Sequence, residues 1–189
     1  MEMALKLAVV AILLAPLLAA LRRPLATELL LTRIVKGAFS ISAGASLLLL
    51  LVQLLVVILR SVFSLSFIWL QESTLYLFGA IFLLASAALL LSEGHVRVDV
   101  VYTKLSDRRK SLIDLAGLVL FVLPLAILII WVSWSYVLTS WAQLERSQEP
   151  SGIHAVFLLK SLIPAFAVLI ALAAEVRIIG LFRRLKGDQ

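Results

Sequence analysis

Cysteine is absent from this 189-residue chain, and charge is scarce: Asp, Glu, Lys and Arg together make up only 15% of it. The first absence excludes disulfides, thiolate metal sites and cysteine nucleophiles at once. The second stands beside 63% hydrophobic residues. A soluble domain has about 25% charged and about 45–50% apolar residues, so this is the composition of an integral membrane protein. No glycine-rich phosphate loop occurs, and no serine sits in a nucleophile motif with a base in the pattern.

What is present is a series of long apolar runs with short polar segments between them. Phe39–Leu59 has one strongly polar side chain, Gln53, placed toward one end. As a helix this run would measure about 31 Å, matching the hydrocarbon core. Three further runs follow, giving spans at about 39–59, 74–91, 115–136 and 155–174. Pro124 is expected to bend the third without ending it, and Pro164 lies inside the fourth. Between the first two spans, Phe63, Phe67 and Trp69 read as an aromatic belt at the interface, as do Trp131, Trp134 and Trp141 near the end of the third.

Before the first span, residues 1–38 form an N-terminal helical segment. The apolar run Leu7–Leu21, interrupted by Pro16, is short for a span, and Arg22 and Arg23 argue against a cleaved signal peptide. A helix in the membrane plane or half inserted is the preferred reading, with a fifth span as the alternative. Over residues 22–38, Leu25, Leu29, Leu30 and Ile34 recur at helical spacing, as in an interfacial amphipathic helix.

The polar stretch Ser92–Asp114 sets the orientation. It carries Arg97, Lys104, Arg108, Arg109 and Lys110, and its Val98, Val101, Tyr102 and Leu105 form one stripe of a short amphipathic helix. Ser106 is a natural N-cap for the helix that follows, with Asp107 at its positive end. Segments 22–38, 92–110 and 175–189 hold four, five and four basic residues, whereas Arg60, Arg146 and Lys160 fall on the other side. Basic connections stay cytoplasmic, so both termini and the central loop are expected inside. The net charge of +6 then reflects topology and anionic lipid headgroups, not nucleic acid.

Few residues are candidates for chemistry. The topology sets His95 and His154 at opposite faces, which excludes a shared haem or metal ion, and no other cofactor set is present. Glu72 and Lys160 are the charges most nearly within the membrane, at similar depth near the outer ends of their spans. They read either as a proton or ion relay or, preferably, as an ion pair or hydrogen bonds tying elements together. His95, Arg97 and Asp99 form either a headgroup-facing surface or a dock for a partner. A self-sufficient transporter would need polar groups at the midplane, where these spans are almost bare.

The ordered pattern resembles the small membrane subunit of tripartite ATP-independent periplasmic (TRAP) transporters, the DctQ-type family. The residues that carry it are Phe67-Ile-Trp-Leu-Gln-Glu72, Gly94-His-Val-Arg-Val-Asp99 with Tyr102 and Leu105-Ser106, and Trp131-Val-Ser-Trp134. After these come Glu145, Ser147, Glu149-Pro150, Gly152 and Leu159-Lys-Ser-Leu-Ile-Pro164. The resemblance covers about residues 39–180, followed by a basic tail at 181–189, and residues 1–30 have no placed counterpart. It implies an all-α membrane protein of the bacterial inner membrane, with four transmembrane helices plus interfacial helices at the N-terminus and in the central loop. It also implies a scaffold without enzymatic activity, partnering a large membrane subunit that carries the solute and sodium sites. A periplasmic solute-binding protein would deliver the solute, such as a 2-oxo acid or lactate. On that view Trp69, Glu72, His95, Arg97, Asp99, Lys160 and Pro164 are structural or partner-facing. The alternative is a stand-alone small transporter using Glu72 and Lys160.

Overall fold

A computed structural model describes residues 2–20, 24–92 and 105–186, and every regular element among them is helical. The elements are α1 (Glu2–Ala20), α2 (Pro24–Phe63), α3 (Ile68–Leu91), α4 (Asp107–Ala142) and α5 (Val156–Lys186). Of these, α2 to α5 are each long and apolar enough to cross a membrane. His95, Arg97, Asp99 and, apart from Leu105, the expected amphipathic helix of the central loop lie outside the described residues.

α2 has 40 residues, roughly 60 Å of helix, about twice the hydrocarbon thickness. The segment expected as a separate interfacial helix is its first turns, continuous with the apolar run. The reason is a seam that does not change face. Leu31, Val35, Ala38, Ser42 and Ala45 are buried, and Leu49, Val52, Val56 and Leu59 continue the same four–three spacing half-buried. That 3.5-residue repeat keeps one stripe against its neighbours. Leu31 packs with Val176 and Ile179, and Val35 with Ala87 and Ala173.

The hairpin between α2 and α3 turns at Ser64, which takes a left-handed φ of 56°. The Leu65 N–H returns to the Leu59 carbonyl at 3.0 Å. In α4 the chain meets Pro124 with a π turn, Leu118–Val122, immediately upstream. The proline ring would press on the carbonyl four residues back, and a widened turn there lets the helix continue. Ser106 occupies the start of α4, but its hydroxyl makes no capping bond; its carbonyl accepts the Lys110 N–H at 3.0 Å.

α5 is the axis of the bundle and touches all four other helices. Its contact faces are alanines: Ala167, Ala171, Ala173 and Ala174 are fully buried. Ala167, Ala171 and Ala174 meet Leu118, Leu123, Ala126 and Ile130 of α4 and Leu13 of α1 in the main core. In lipid there is no hydrophobic gain from hiding a leucine, so close backbone approach and dispersion hold such helices together. The leucines accordingly point outward, as the many exposed ones on α2 and α4 do. Trp134, expected in the interfacial belt, instead packs against this core.

α1 lies lengthwise against α4 and α5. Its Lys6 ammonium donates to Ser135 Oγ at 3.3 Å and sits 5.5 Å from the Trp131 ring centre, while Ala20 packs with Leu31, Val176 and Ile179. The first turn of α1 is thus directed toward the end of the bundle bearing the 143–155 loop. The C-terminus of α5 lies at the other end. Ala171→Leu would force three extra side-chain carbons into the α4–α5 seam, where Ala171 is fully buried. Overpacking of this kind costs about 1–3 kcal/mol, so the purified variant should melt several degrees lower. Gly44→Ala, where an added methyl meets nothing within 4 Å, should not lower the melting temperature of the isolated chain and should raise it slightly, because alanine loses less backbone freedom in a helix.

Candidate functional site

The polar groups expected within the membrane converge at one end, around the loop that joins α4 to α5. The loop starts with a Schellman ending of α4: Leu144 has a left-handed φ of 44° and donates to the Trp141 carbonyl at 3.1 Å, while the Glu145 N–H reaches Ser140 at 3.0 Å. This ending turns Glu145 back over the start of α5. Its backbone carbonyl accepts the first N–H of that helix, from Val156, at 3.1 Å. Its carboxylate meets Lys160 Nζ at 2.5 Å, with side-chain exposures of 34% for Glu145 and 16% for Lys160. The ammonium also lies 4.0 Å from the centre of the Tyr136 ring. A carboxylate at a helix N-terminus is favoured by the helix dipole as well as by its cation.

Further along, Glu149-Pro150-Ser151-Gly152 forms a turn closed by the Gly152 N–H on the Glu149 carbonyl at 3.0 Å, with proline where a type I turn favours it. The Ser147 N–H donates to the Ile153 carbonyl at 3.1 Å. Into this folded loop reaches Glu72, from the first turns of α3. One carboxylate oxygen accepts the Ser147 hydroxyl, and the other accepts the Ile153 N–H at 2.6 Å. Gly152 makes the approach feasible: a Cβ there would stand 2.5 Å from Ser147 Cβ and 2.7 Å from a Glu72 oxygen.

Glu72 and Lys160, for which the sequence left an ion pair or separate hydrogen bonds open, do not meet one another and are each engaged by the loop. Glu72 ties α3 to the loop, and Lys160 ties α5 to the same loop through Glu145. Trp141 Nε1 donates to Ser161 Oγ at 2.8 Å, with its ring 4.6 Å from that of Phe157, linking α4 directly to α5. Trp69 is half exposed beside Phe67, ring centres 6.4 Å apart, and makes no part of this network. Pro164 lies inside α5 one turn beyond Lys160 and leaves the Lys160 carbonyl without its helical donor.

At the opposite end, Arg177 donates to the carbonyl of Leu90 at 3.1 Å, at the C-terminus of α3, and stands 3.8 Å from Asp114. Arg183 meets Glu28 at 3.1 Å. The residue that sequence reasoning missed is Glu175. It falls in the 175–189 segment expected on the cytoplasmic side, yet it is fully buried in α5 and neither carboxylate oxygen has a hydrogen-bond partner among the described residues. Its spacing from Ala171 and Ile178 was the available signal. Among the described residues, no group of three or more His, Cys, Asp or Glu side chains could hold a metal ion.

The family model "Tripartite ATP-independent periplasmic transporters, DctQ component" matches residues 49–184. No curated protein and no solved structure matches the chain.

Two outcomes check the clamp. Gly152→Ala should separate Glu72 from the loop and lower stability by about 1–3 kcal/mol, whereas Ser151→Ala should not; thermal melting in detergent measures both. The hydrogen bond from Lys160 holds the Glu145 carboxyl below its ordinary value of 4.5. A depressed carboxyl contributes stability that is complete above that ordinary value and fades as pH falls below it. Melting temperature should thus drop on acidification through that range, and Glu145→Gln should flatten the drop.

Proposed function

Because the chain belongs to the DctQ component family of tripartite ATP-independent periplasmic transporters, we propose that it is the small permease subunit that scaffolds a large membrane subunit. That partner would carry out sodium-driven uptake of an organic acid delivered by a periplasmic binding protein. DctQ is a transporter component family, not an enzyme family. The observation that supports the scaffold reading is where the charges are spent. Lys160–Glu145 and Glu72 secure one end, and Arg177–Asp114 and Arg183–Glu28 secure the other. Between them the core is mostly apolar, with Ala126, Ile130, Ala167 and Ala171 in contact; among the described residues, the buried polar groups there are Glu175 and the hydroxyls of Ser42 and Ser133, which donate to carbonyls of their own helices. A transport path needs polar groups exposed to a passage at mid-depth, and this interior is closed by alanine.

The basic end faces the cytoplasm in this proposal, with the central loop and C-terminus on that side of the inner membrane. The 143–155 loop then faces the periplasm, and the first turn of α1 reaches toward the outer leaflet. Glu72, Lys160, Trp69 and Pro164 are structural or partner-facing here, and His95, Arg97 and Asp99 belong to the cytoplasmic surface. The alternative of a stand-alone transporter working through Glu72 and Lys160 is disfavoured because both are engaged by the same loop.

The test is to tag the C-terminus, purify the protein with mild detergent from cells that also express the large subunit of the same transporter, and reconstitute each fraction. The two membrane subunits should elute together in fixed ratio, and solute uptake should require both. Uptake by this chain alone in liposomes would overturn the proposal.

A further inference from the structure

Along α2, next to the seam that packs on its neighbours, runs a second stripe whose side chains are exposed. Ser46, Leu50, Gln53 and Val57 repeat with the same four–three spacing one position round the helix, and with Leu49 and Leu54 they form one wall of a groove. Phe78, Ile81 and Phe82 of α3 form the other. The groove has a volume of about 550 Å³. The two phenylalanine rings lie tilted at 43° to one another with centres 4.4 Å apart and are both half exposed.

The sequence places Gln53 toward one end of its span, but the fold places it elsewhere. α2 continues to Phe63, ten residues past Gln53, so the amide lies roughly 15 Å from that helix end. The residues of α3 across the groove from it, Phe78 to Phe82, are the middle of the 24-residue helix Ile68–Leu91. Gln53 is exposed, and its side chain has no hydrogen bond or other polar partner among the described residues. An amide facing hydrocarbon without a partner is unfavourable by several kcal/mol on a scale that forbids hydrogen bonding. Lipid tails supply neither donor nor acceptor at that depth, and a purely apolar helix would serve no better.

We propose that the α2–α3 groove is the docking seat for a transmembrane helix of the large membrane subunit, one that presents a hydrogen-bonding side chain or an opened backbone carbonyl to Gln53. This rests on the scaffold reading given above and names the surface through which that scaffold works. Three features on this face fit such an occupant. The stripe keeps coiled-coil spacing, Ser46 is a small residue allowing close approach, and the wall opposite is a pair of aromatic rings that a helix ridge can pack against. The face offered by α4 presents the exposed apolar side chains Leu125, Leu128 and Val132 and serves as the comparison surface.

The chain's lack of cysteine allows a direct test in the co-expressed complex. Leu50→Cys and Phe82→Cys probe the groove, Leu128→Cys probes the α4 face, and each is labelled with a benzophenone maleimide and photolysed in native membranes. The expected result is an adduct to the large subunit from Leu50→Cys and Phe82→Cys and none from Leu128→Cys. Gln53→Leu should also lower the amount of large subunit co-purified, by roughly three- to thirtyfold in affinity for one interhelical hydrogen bond in lipid. Leucine there replaces an amide with no polar partner among the described residues, so elution of the variant alone should match the parent. Adducts to the large subunit only from Leu128→Cys, adducts only to a second copy of this chain, or no protein adduct would each overturn the groove as the seat. Full co-purification of Gln53→Leu would overturn the role of the amide. If the unmodified chain does not bring the large subunit with it, the scaffold reading itself fails, and the groove proposal with it.

Discussion

The bundle depends on alanine in α5. In water a helix could be held by any apolar stripe, because leaving water rewards all of them. Inside a bilayer the lipid is as apolar as the leucines, so helices stay together only where their surfaces fit more closely to each other than to acyl chains. Ala167, Ala171, Ala173 and Ala174 provide that fit on two sides of one helix, toward α4 and α1 and toward α2 and α3. This explains why a chain so rich in leucine buries so few of them, and why α5 contacts every other helix.

Polar contacts then fix what packing alone leaves loose. Two antiparallel helices with smooth seams can slide or splay, and end-to-end pinning removes that freedom. Glu72 and Glu145 reach the same loop from α3 and from within the loop, so α3, α4 and α5 share a single reference point. Arg177 does the same at the other end, binding the last turn of α3 and the second turn of α4 from its place on α5. The arginine on a helix C-terminal carbonyl also answers the dipole of that helix. Both ends are pinned through α5.

Much of this was legible in sequence. Hydropathy finds the four long helices, since no other element than a helix can satisfy its own backbone over such runs in lipid. The residues Glu72, Glu145, Ser147, Gly152 and Lys160 were singled out, though their pairing was not: a loop of about a dozen residues can bring either carboxylate to Lys160, and only the Schellman turn at Leu144 decides that Glu145 arrives. Helix ends were also hard to place, because a charged residue such as Arg60 or Glu175 suggests the end of a span whether or not the helix stops. At Arg60 the helix ran on to Phe63, ten residues past Gln53. At Glu175 it ran on to Lys186, turning a supposed tail residue into a buried one.

The family match begins at residue 49, which leaves out α1 and the first half of α2, yet these segments are not an appendage. Leu13 is buried in the same cluster as Ile130 and Ala171, and Val9 and Leu17 pack against it. Ala20 and Leu31 cover Val176 and Ile179. Remove α1 and the Leu13 position opens onto small alanine side chains, a concave strip that lipid tails fill poorly. The placement of Glu175 makes the same point more sharply. On α5 it falls angularly between the faces carrying Ala171 and Ile178 and those carrying Leu172 and Ile179, so it is directed to the side where α1 lies. A carboxyl with no partner is tolerable there only while a helix keeps it from the bilayer. The N-terminal helix is therefore part of the core of this protein, and the four-helix unit is completed by a fifth element that its hydropathy alone does not announce.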